Sequence, residues 1–304
     1  MLHRFADGEL GIEGHDPEGL RAILAYLRAC RVRIDTVDAV IQRAIDEPAA
    51  ARAHAPPTVA FTVDDGFADV AKIGHPVFAE FDSPYTVFVV PGVLETQGVF
   101  WWEQLARVLR DAQRREIVLA MPDGERTLSW SDARAESRVR QVLETYLKTL
   151  PPEDMHATIA RVAQQVDVPI LDRAPDALAT LSWDDIRRME SRGVHFGAHT
   201  MTHPVLSRCA PDRAHWEVTE SLQRLRAEVQ NPSRIFCYPN GLADDFGERE
   251  IGALQGMQML GAVSAEPGIA VTRQDPRDLS VWRWRVPRFG FDRRPGTLLR
   301  DFFD

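Results

Sequence analysis

The run Val59-Ala60-Phe61-Thr62-Val63 constrains the fold more than any other stretch. It is almost continuously apolar, so as a strand it must be covered on both faces, which is the condition of strands in a helix-flanked parallel sheet. The flanking pattern agrees. Asp16 can cap a helix with Pro17 at its first position, and Leu20, Ile23, Leu24 and Leu27 follow at helical spacing. A second helix is expected from Thr36, with Val37, Val40, Ile41 and Ile45 on one face, and Glu47 to Pro57 reads as a surface loop. Beyond Gly66, Val70, Ile73, Val77 and Phe78 mark another helix. Tyr85 to Val90 is a second strand, stopped by Pro91-Gly92. Met1 to Phe5 is a short strand candidate. Strands alternating with helices predict a mainly parallel sheet.

Residues 97–181 leave this rhythm. Trp101, Leu105 and Leu109 suggest a helix, and Pro122-Asp123-Gly124 between Glu116–Met121 and Glu125–Trp130 is a hairpin signal. Two more helical stretches follow, over about 131–149 and 153–165. The segment reads as a helix-rich insertion with one hairpin, serving as a lid, a partner surface or a cover for a sheet edge. The regular pattern resumes at Ser182, a cap for the helix Trp183 to Arg192 that Gly193 ends. Val194 to Ala198 is a strand, Arg213 to Val229 a helix, and Arg234 to Tyr238 a strand closed by Pro239-Asn240-Gly241. Arg249 to Gln255 is helical; Met259 to Val263 and Trp284 to Val286 are weaker strands.

The strand ends carry the chemistry. Val194–Ala198 runs into His199-Thr200-Met201-Thr202-His203-Pro204, two imidazoles four positions apart that can hold one divalent cation. A catalytic zinc usually takes three protein ligands and a water. The third is sought in Asp64-Asp65, at the end of the first apolar run. Neighbouring carboxylates at a strand end point apart, so one can bind a metal while the other takes a proton from water. Each piece alone has a plainer reading: Asp-Asp-Gly as cap and turn, the histidines as buried hydrogen-bonding groups. Together they meet at the carboxyl rim of a parallel sheet, where such folds place their sites, and the combination points to a metal-dependent hydrolase.

Composition removes other classes. The net charge is −9 with both signs mixed, and no basic stripe suits a phosphate backbone, so no nucleic-acid partner is expected. The three cysteines, Cys30, Cys209 and Cys237, are far apart with no CxxC or CxxxC pair, which argues against a cysteine metal site and a disulfide framework. There is no transmembrane-length apolar run and no signal-peptide core near Met1, so the sequence reads as cytoplasmic as it stands, and as periplasmic or secreted if a leader has been removed.

Thr62-Val63-Asp64-Asp65-Gly66 resembles the T-F-D-D-G motif of the polysaccharide deacetylase family (NodB homology, carbohydrate esterase family 4). His199-Thr200-Met201-Thr202-His203-Pro204 resembles its H-[ST]-x-x-H motif, and Phe236-Cys237-Tyr238-Pro239-Asn240-Gly241 is similar to a variant of its third motif. The resemblance covers roughly residues 55–90 and 181–291 and skips the insertion. It implies a single domain over 1–304, a distorted (β/α) barrel of the NodB type, often seven-stranded, with 97–181 inserted in it. It implies Asp65, His199 and His203 as metal ligands, Asp64 as general base, and the Tyr238 backbone N–H, with Asn240 near it, at the oxyanion and substrate. The reaction implied is removal of an N-acetyl group from an acetamido sugar or polysaccharide. The ligand set suits Zn, and also Co, Ni, Fe or Mn.

Two departures stand out. Cys237 replaces the third-motif arginine that orients the base; Arg288 is the expected substitute, with Arg285 as alternative. No histidine follows His215 to act as the usual C-terminal acid. Some exopolysaccharide N-deacetylases of the family resemble a circular permutation with that histidine on the first strand, which assigns the acid to His3. Among the tryptophans, Trp284 is expected nearest the site, as a surface for a sugar ring. The departures leave two other readings open: hydrolysis of a formamide or another non-peptide C–N bond on the same site, or a catalytically silent relative that binds glycan or a partner.

Overall fold

The computed structural model describes residues 1–47, 56–270 and 278–290. Most of the loop expected over Glu47 to Pro57 lies outside them. After the N-terminal segment come α1 (Pro17–Ala29), β1 (Arg33–Asp35), α2 (Val37–Asp46) and β2 (Thr58–Val63). The helix starts follow from local chemistry: the Asp16 carboxylate accepts the N–H groups of Glu18 and Gly19, and Thr36 Oγ1 accepts that of Ala39. A π-helical turn at Val70–Gly74 leads into α3 (His75–Glu80), then β3 (Tyr85–Val89) and α4 (Pro91–Thr96). Pro91 ends the strand as expected and also opens a helix, where its missing N–H costs nothing.

The inserted segment supplies α5 (Trp101–Arg110), the hairpin β4 (Glu116–Met121) and β5 (Gly124–Ser129), α6 (Ala133–Leu147) and α7 (Pro152–Gln165). The chain then continues through α8 (Trp183–Glu190), β6 (His195–Ala198), α9 (Pro211–Glu228), β7 (Ile235–Cys237), α10 (Glu248–Gly256), β8 (Gly261–Val263) and α11 (Leu279–Trp282). Ser182 and Asp185 close a reciprocal capping box at the start of α8.

The strands form a parallel sheet in the order β1-β2-β3-β6 and a parallel pair β7-β8. In register, Val63 faces Val87 and Val89 faces Ala198, which aligns the carboxyl ends of β2, β3 and β6. β6 lies against β7: a Cβ on Gly197 would stand 3.0 Å from the Ile235 carbonyl and 2.5 Å from the Phe88 ring, so only glycine lets the strands approach. On the other flank, the Leu2 N–H donates to Thr62 O at 2.8 Å and its carbonyl accepts the Asp64 N–H at 2.9 Å. Val286 bridges Val263 in parallel, and the Met1 nitrogen reaches Phe289 O at 2.8 Å. The sheet therefore curls into a distorted (β/α) barrel, with Met1–Leu2 as the stave between β2 and residues 286–289.

Two expectations need correction, and one strand was not foreseen. Met1–Phe5 pairs only through single bridges at Leu2 and Phe5, because it turns away after Leu2. Trp284–Val286 forms one bridge rather than a strand, since Arg283 and Trp284 are held in a turn after α11. β1, too short to register as a periodic pattern, extends the sheet beside β2.

The barrel core is built on Leu24, Val63, Val87, Phe196, Leu222 and Phe236, all fully or nearly fully buried. Burying a side chain of that size contributes about 1.5–3 kcal/mol. The inserted segment has its own core, including Leu105, Ile117, Trp130, Leu143 and Ile159. Its exit is tied back to the rim, where the Ala68 N–H donates to Ala179 O and the Leu181 N–H to Gly66 O. Among the described residues no helix is long and apolar enough to cross a membrane.

Candidate active site

At the end of β2 the chain reverses through two consecutive left-handed residues, Asp65 at φ 72° and Gly66 at φ 74°. Aspartate tolerates that region better than most residues, and a Cβ on Gly66 would lie 2.9 Å from a Val89 methyl. The reversal sends the Asp64 and Asp65 carboxylates in different directions. At the end of β6 the His199 N–H donates to Val89 O, and the loop then holds Thr200 at φ 64° and His203 at φ 60°. Non-glycine residues in such conformations cost about 1–3 kcal/mol each and persist only where their surroundings impose them.

These two turns bring three ligand atoms together. Asp65 Oδ1 lies 3.7 Å from His199 Nε2 and 3.4 Å from His203 Nε2, and all three residues are buried. Donors about 2.1 Å from one tetrahedral ion would stand about 3.4 Å apart. The ring states match. His199 Nδ1 is 2.7 Å from Cys237 O, which it can only approach as an N–H donor, leaving the Nε2 lone pair free toward Asp65. Burial lowers the His199 pKa to about 4 and, with His199 beside it, holds that of His203 well below the usual imidazole range. Burial, then the Asp64 charge, raises Asp65 well above the ordinary carboxyl value. The close approaches are thus not ion pairs between imidazolium and carboxylate. They are a buried, cation-deficient donor set with neutral imidazoles, the form that ligates metal. The residues fit a divalent cation.

Asp64 stands beside this set under different control. Arg288 grips it with two parallel hydrogen bonds, Nη1 to Oδ1 at 2.8 Å and Nη2 to Oδ2 at 2.9 Å. Arg288 also donates to Ser264 O, Thr62 Oγ1 and the Cys237 sulfur, each contact between 2.9 and 3.1 Å. Burial is the largest influence and works against the Asp64 charge, but the Arg288 charge and hydrogen bonds, with His199 and His3 beside it, together hold the carboxyl well below the usual range. Arg288, expected in place of the third-motif arginine, is therefore the residue that grips Asp64. Arg285, the alternative, pairs with Glu248 at 3.6 Å and lies over the Phe246 ring.

A cavity of about 290 Å³ opens on the site, lined by His3, Asp64, Asp65, His199, His203, Tyr238, Asn240 and Arg288. His3 follows directly on the Leu2 stave; burial lowers its pKa while the Asp64 charge pulls it back up. Asn240 sits at φ 58° in its turn, and its buried Nδ2 has no hydrogen-bond partner, so it is a donor available to a ligand.

Two expected residues are placed otherwise. The Tyr238 N–H donates to Val263 O at 3.3 Å, so the pairing of β7 with β8 engages the donor assigned to the oxyanion, and its ring stacks on Phe246 at 3.6 Å. Tyr238 remains part of the wall. Trp284 is 2% exposed in the barrel core and does not line the cavity, because the turn after α11 points it inward.

The aromatic wall comes instead from Trp101 and Trp102, with Glu144 and Lys148 beyond them, all from the inserted segment. Trp102 stacks on Phe100 and lies 4.6 Å from the His203 ring. The adjacent tryptophans are visible in the sequence, but nothing local says that α5 and α6 fold back over the barrel rim.

The family model described as polysaccharide deacetylase matches residues 111–259. That interval holds His199, His203 and the turn at Asn240. It opens inside the inserted segment, which the motif resemblance did not reach, and leaves Asp64-Asp65 outside. A chitooligosaccharide deacetylase from Bradyrhizobium sp. (strain ANU 289) is 35% identical over 116 residues, 38% of this chain and 44% of that protein. The chain thus covers less than half the length of that curated relative. The solved structure of the Streptococcus pyogenes deacetylase PplD in complex with acetate superposes over 100% of this chain and 96% of its own, with TM-score 0.62 and 15% identity. A de-N-acetylase from Aggregatibacter actinomycetemcomitans superposes over 99% and 97%, with TM-score 0.55 and 13% identity. These two likenesses show the fold.

Proposed function

We propose that this chain, whose residues 111–259 match the polysaccharide deacetylase family model, is a metal-dependent hydrolase of that family that removes an N-acetyl group from an acetamido sugar, free or within a glycan. The observation that carries this reading is the juxtaposition of a buried Asp65–His199–His203 donor set with an Asp64 carboxylate held ionised by Arg288. The names of the curated relative and of the superposing structures support it.

Asp65, His199 and His203 would hold the cation, with zinc the first choice and Co, Ni, Fe or Mn compatible with the same donors. Bound there, it supplies Lewis-acid polarisation of an amide carbonyl and acidifies water. Asp64 accepts the proton of the attacking water, and Arg288 keeps it in the basic form and aimed. The water oxygen bonds to the carbonyl carbon, the C–N bond breaks, and the amine leaves with a proton, giving acetate and a free amino sugar. His3 is the donor of that proton. Burial keeps its imidazole neutral at rest, so the proton must reach it during turnover, with Asp64 as the group that holds one by then. Asn240 Nδ2 replaces the Tyr238 N–H as the donor toward substrate oxygen, and Trp102 offers a face to the sugar ring.

The test is metal analysis of the purified chain together with acetate release from N-acetylglucosamine oligomers. Bound metal with acetate released is expected. Bound metal with release of formate or another acid from a different amide would move the substrate; no metal and no turnover would overturn the reading.

A further inference from the structure

The loop between the two histidines does not hold itself in place. Its Met201 and Thr202 N–H groups lie inside a chain reversal bounded by two left-handed residues, Thr200 and His203, and have no backbone acceptor within the loop. Both donate to one atom of a side chain sixteen and fifteen positions on, Oε2 of Glu217, at 2.9 Å each. Glu217 Oε1 accepts Thr202 Oγ1 at 2.5 Å and Arg213 Nε at 3.0 Å, and Arg213 Nη2 also reaches Thr202 Oγ1 at 3.1 Å. Glu217 is completely buried on α9, a helix that packs on β6. A buried carboxylate with its oxygens filled by donors is a rigid charge-assisted anchor.

We propose that Glu217 is a positioning residue for the candidate metal centre, clamping Met201–Thr202 so that His203, one residue further, presents Nε2 to Asp65. This rests on the metal reading above. It assigns the sharpness of the centre to a residue outside all three motifs. His199 leaves a strand and is fixed by Val89 O and Cys237 O. His203 has less support: its Nδ1 is buried without a partner, its ring is held by packing against Phe100 and Trp102, and its loop is fixed by Thr200 Oγ1, by the Gly92 N–H on Met201 O at 3.0 Å and by the Glu217 clamp. Loosening Glu217 frees the less supported of the two imidazoles.

The test uses the full chain, stripped of metal and titrated with zinc against a chromophoric chelator, at a temperature well below the unfolding onset of each variant. Glu217→Gln keeps the shape and one acceptor oxygen but puts an amide N–H₂ against existing donors. It is expected to weaken zinc binding about 10–100-fold, the range for residues that orient metal ligands. Thr202→Val, which removes one contact, is expected to weaken it in the same direction by less, and it remains decisive should the Glu217 variant not fold. A merely structural role would lower the unfolding temperature and leave the zinc affinity of the folded chain alone. Wild-type affinity within twofold in both variants overturns the positioning role while leaving the metal reading intact. A wild-type chain that takes up no zinc overturns both.

Discussion

The Arg288–Asp64 contact lends itself to a quantitative test. The two residues are separated by 224 positions, both are under 10% exposed, and they meet through two hydrogen bonds of 2.8 and 2.9 Å. Replacing Arg288 by Met keeps much of the stem but leaves a buried carboxylate unpaired, at a cost of about 3–5 kcal/mol. Asp64→Asn keeps the shape and removes the charge. Arg288 then still donates to Ser264 O and Thr62 Oγ1, so the loss is that of charge-assisted bonds, about 1.5–3 kcal/mol. If each penalty is mostly the cost of the abandoned partner, the double variant should lose about 1–3 kcal/mol less than the sum of the singles. The assay is equilibrium urea unfolding of the metal-stripped chain at pH 7, closed as a double-mutant cycle. The pH is chosen by sign: the Asp64 pKa is depressed on folding, so its contribution is fully present above the unfolded carboxyl value, about 3.9, and is lost only as pH falls below it. Penalties additive to within about 0.5 kcal/mol would refute the reasoning, because they would mean that the two groups do not depend on each other. Each single variant should also lose about 10²–10⁴-fold in kcat/KM, since the base is then absent or no longer held ionised and aimed.

His3→Ala should lower kcat by about 10²–10⁴-fold with zinc stoichiometry unchanged; full turnover in that variant would remove His3 from the mechanism. Gly92→Ala would ordinarily stabilise a helix by up to about 1 kcal/mol. Here the added Cβ would stand 2.5 Å from Met201 O, a backbone atom of the histidine loop, so a loss of about 1–3 kcal/mol and weaker zinc binding are expected from thermal melts and titration, and a gain in stability would contradict the packing. His75 lies against the Tyr85 hydroxyl at 3.1 Å with its pKa lowered by burial, so the folded chain binds fewer protons there than the unfolded one. Stability from this residue is present above the unfolded value near 6.5 and lost as pH falls below it, and His75→Gln should flatten the stability profile between about pH 7 and 5.5.

Where the reading from sequence held, the chemistry was local. Asp16, Thr36 and Ser182 cap helices because a short side-chain oxygen reaches N–H groups two or three residues on, and Pro122-Asp123-Gly124 turns a hairpin for reasons contained in those residues. The strand ends at Asp64–Gly66 and His199–Pro204 were legible in the same way. A buried apolar run must stop where charged or turn-forming residues begin, and in a parallel sheet such stops share one rim. The residues that the structure gathers, Asp65, His199 and His203 with Asp64 beside them, could be named without knowing the path between them.

Other assignments failed because their answer lay in long-range packing. The short N-terminal segment has no periodicity of its own and becomes a stave only because the barrel leaves a gap between β2 and residues 286–289. Whether Trp284 or Trp102 faces the cavity depends on how the last turn and the inserted helices pack, which composition does not encode. Whether the Tyr238 N–H is free depends on β8 pairing beside it. Glu217 reads in sequence as one more charge on a helix, and its function comes from α9 lying under a loop that needs its oxygens. By itself, then, the sequence determined the fold class, the strand ends and the donor set, since those follow from side-chain chemistry within a few residues. Tertiary structure alone decided which groups orient that set and which walls enclose it, since those depend on contacts between residues tens to hundreds of positions apart.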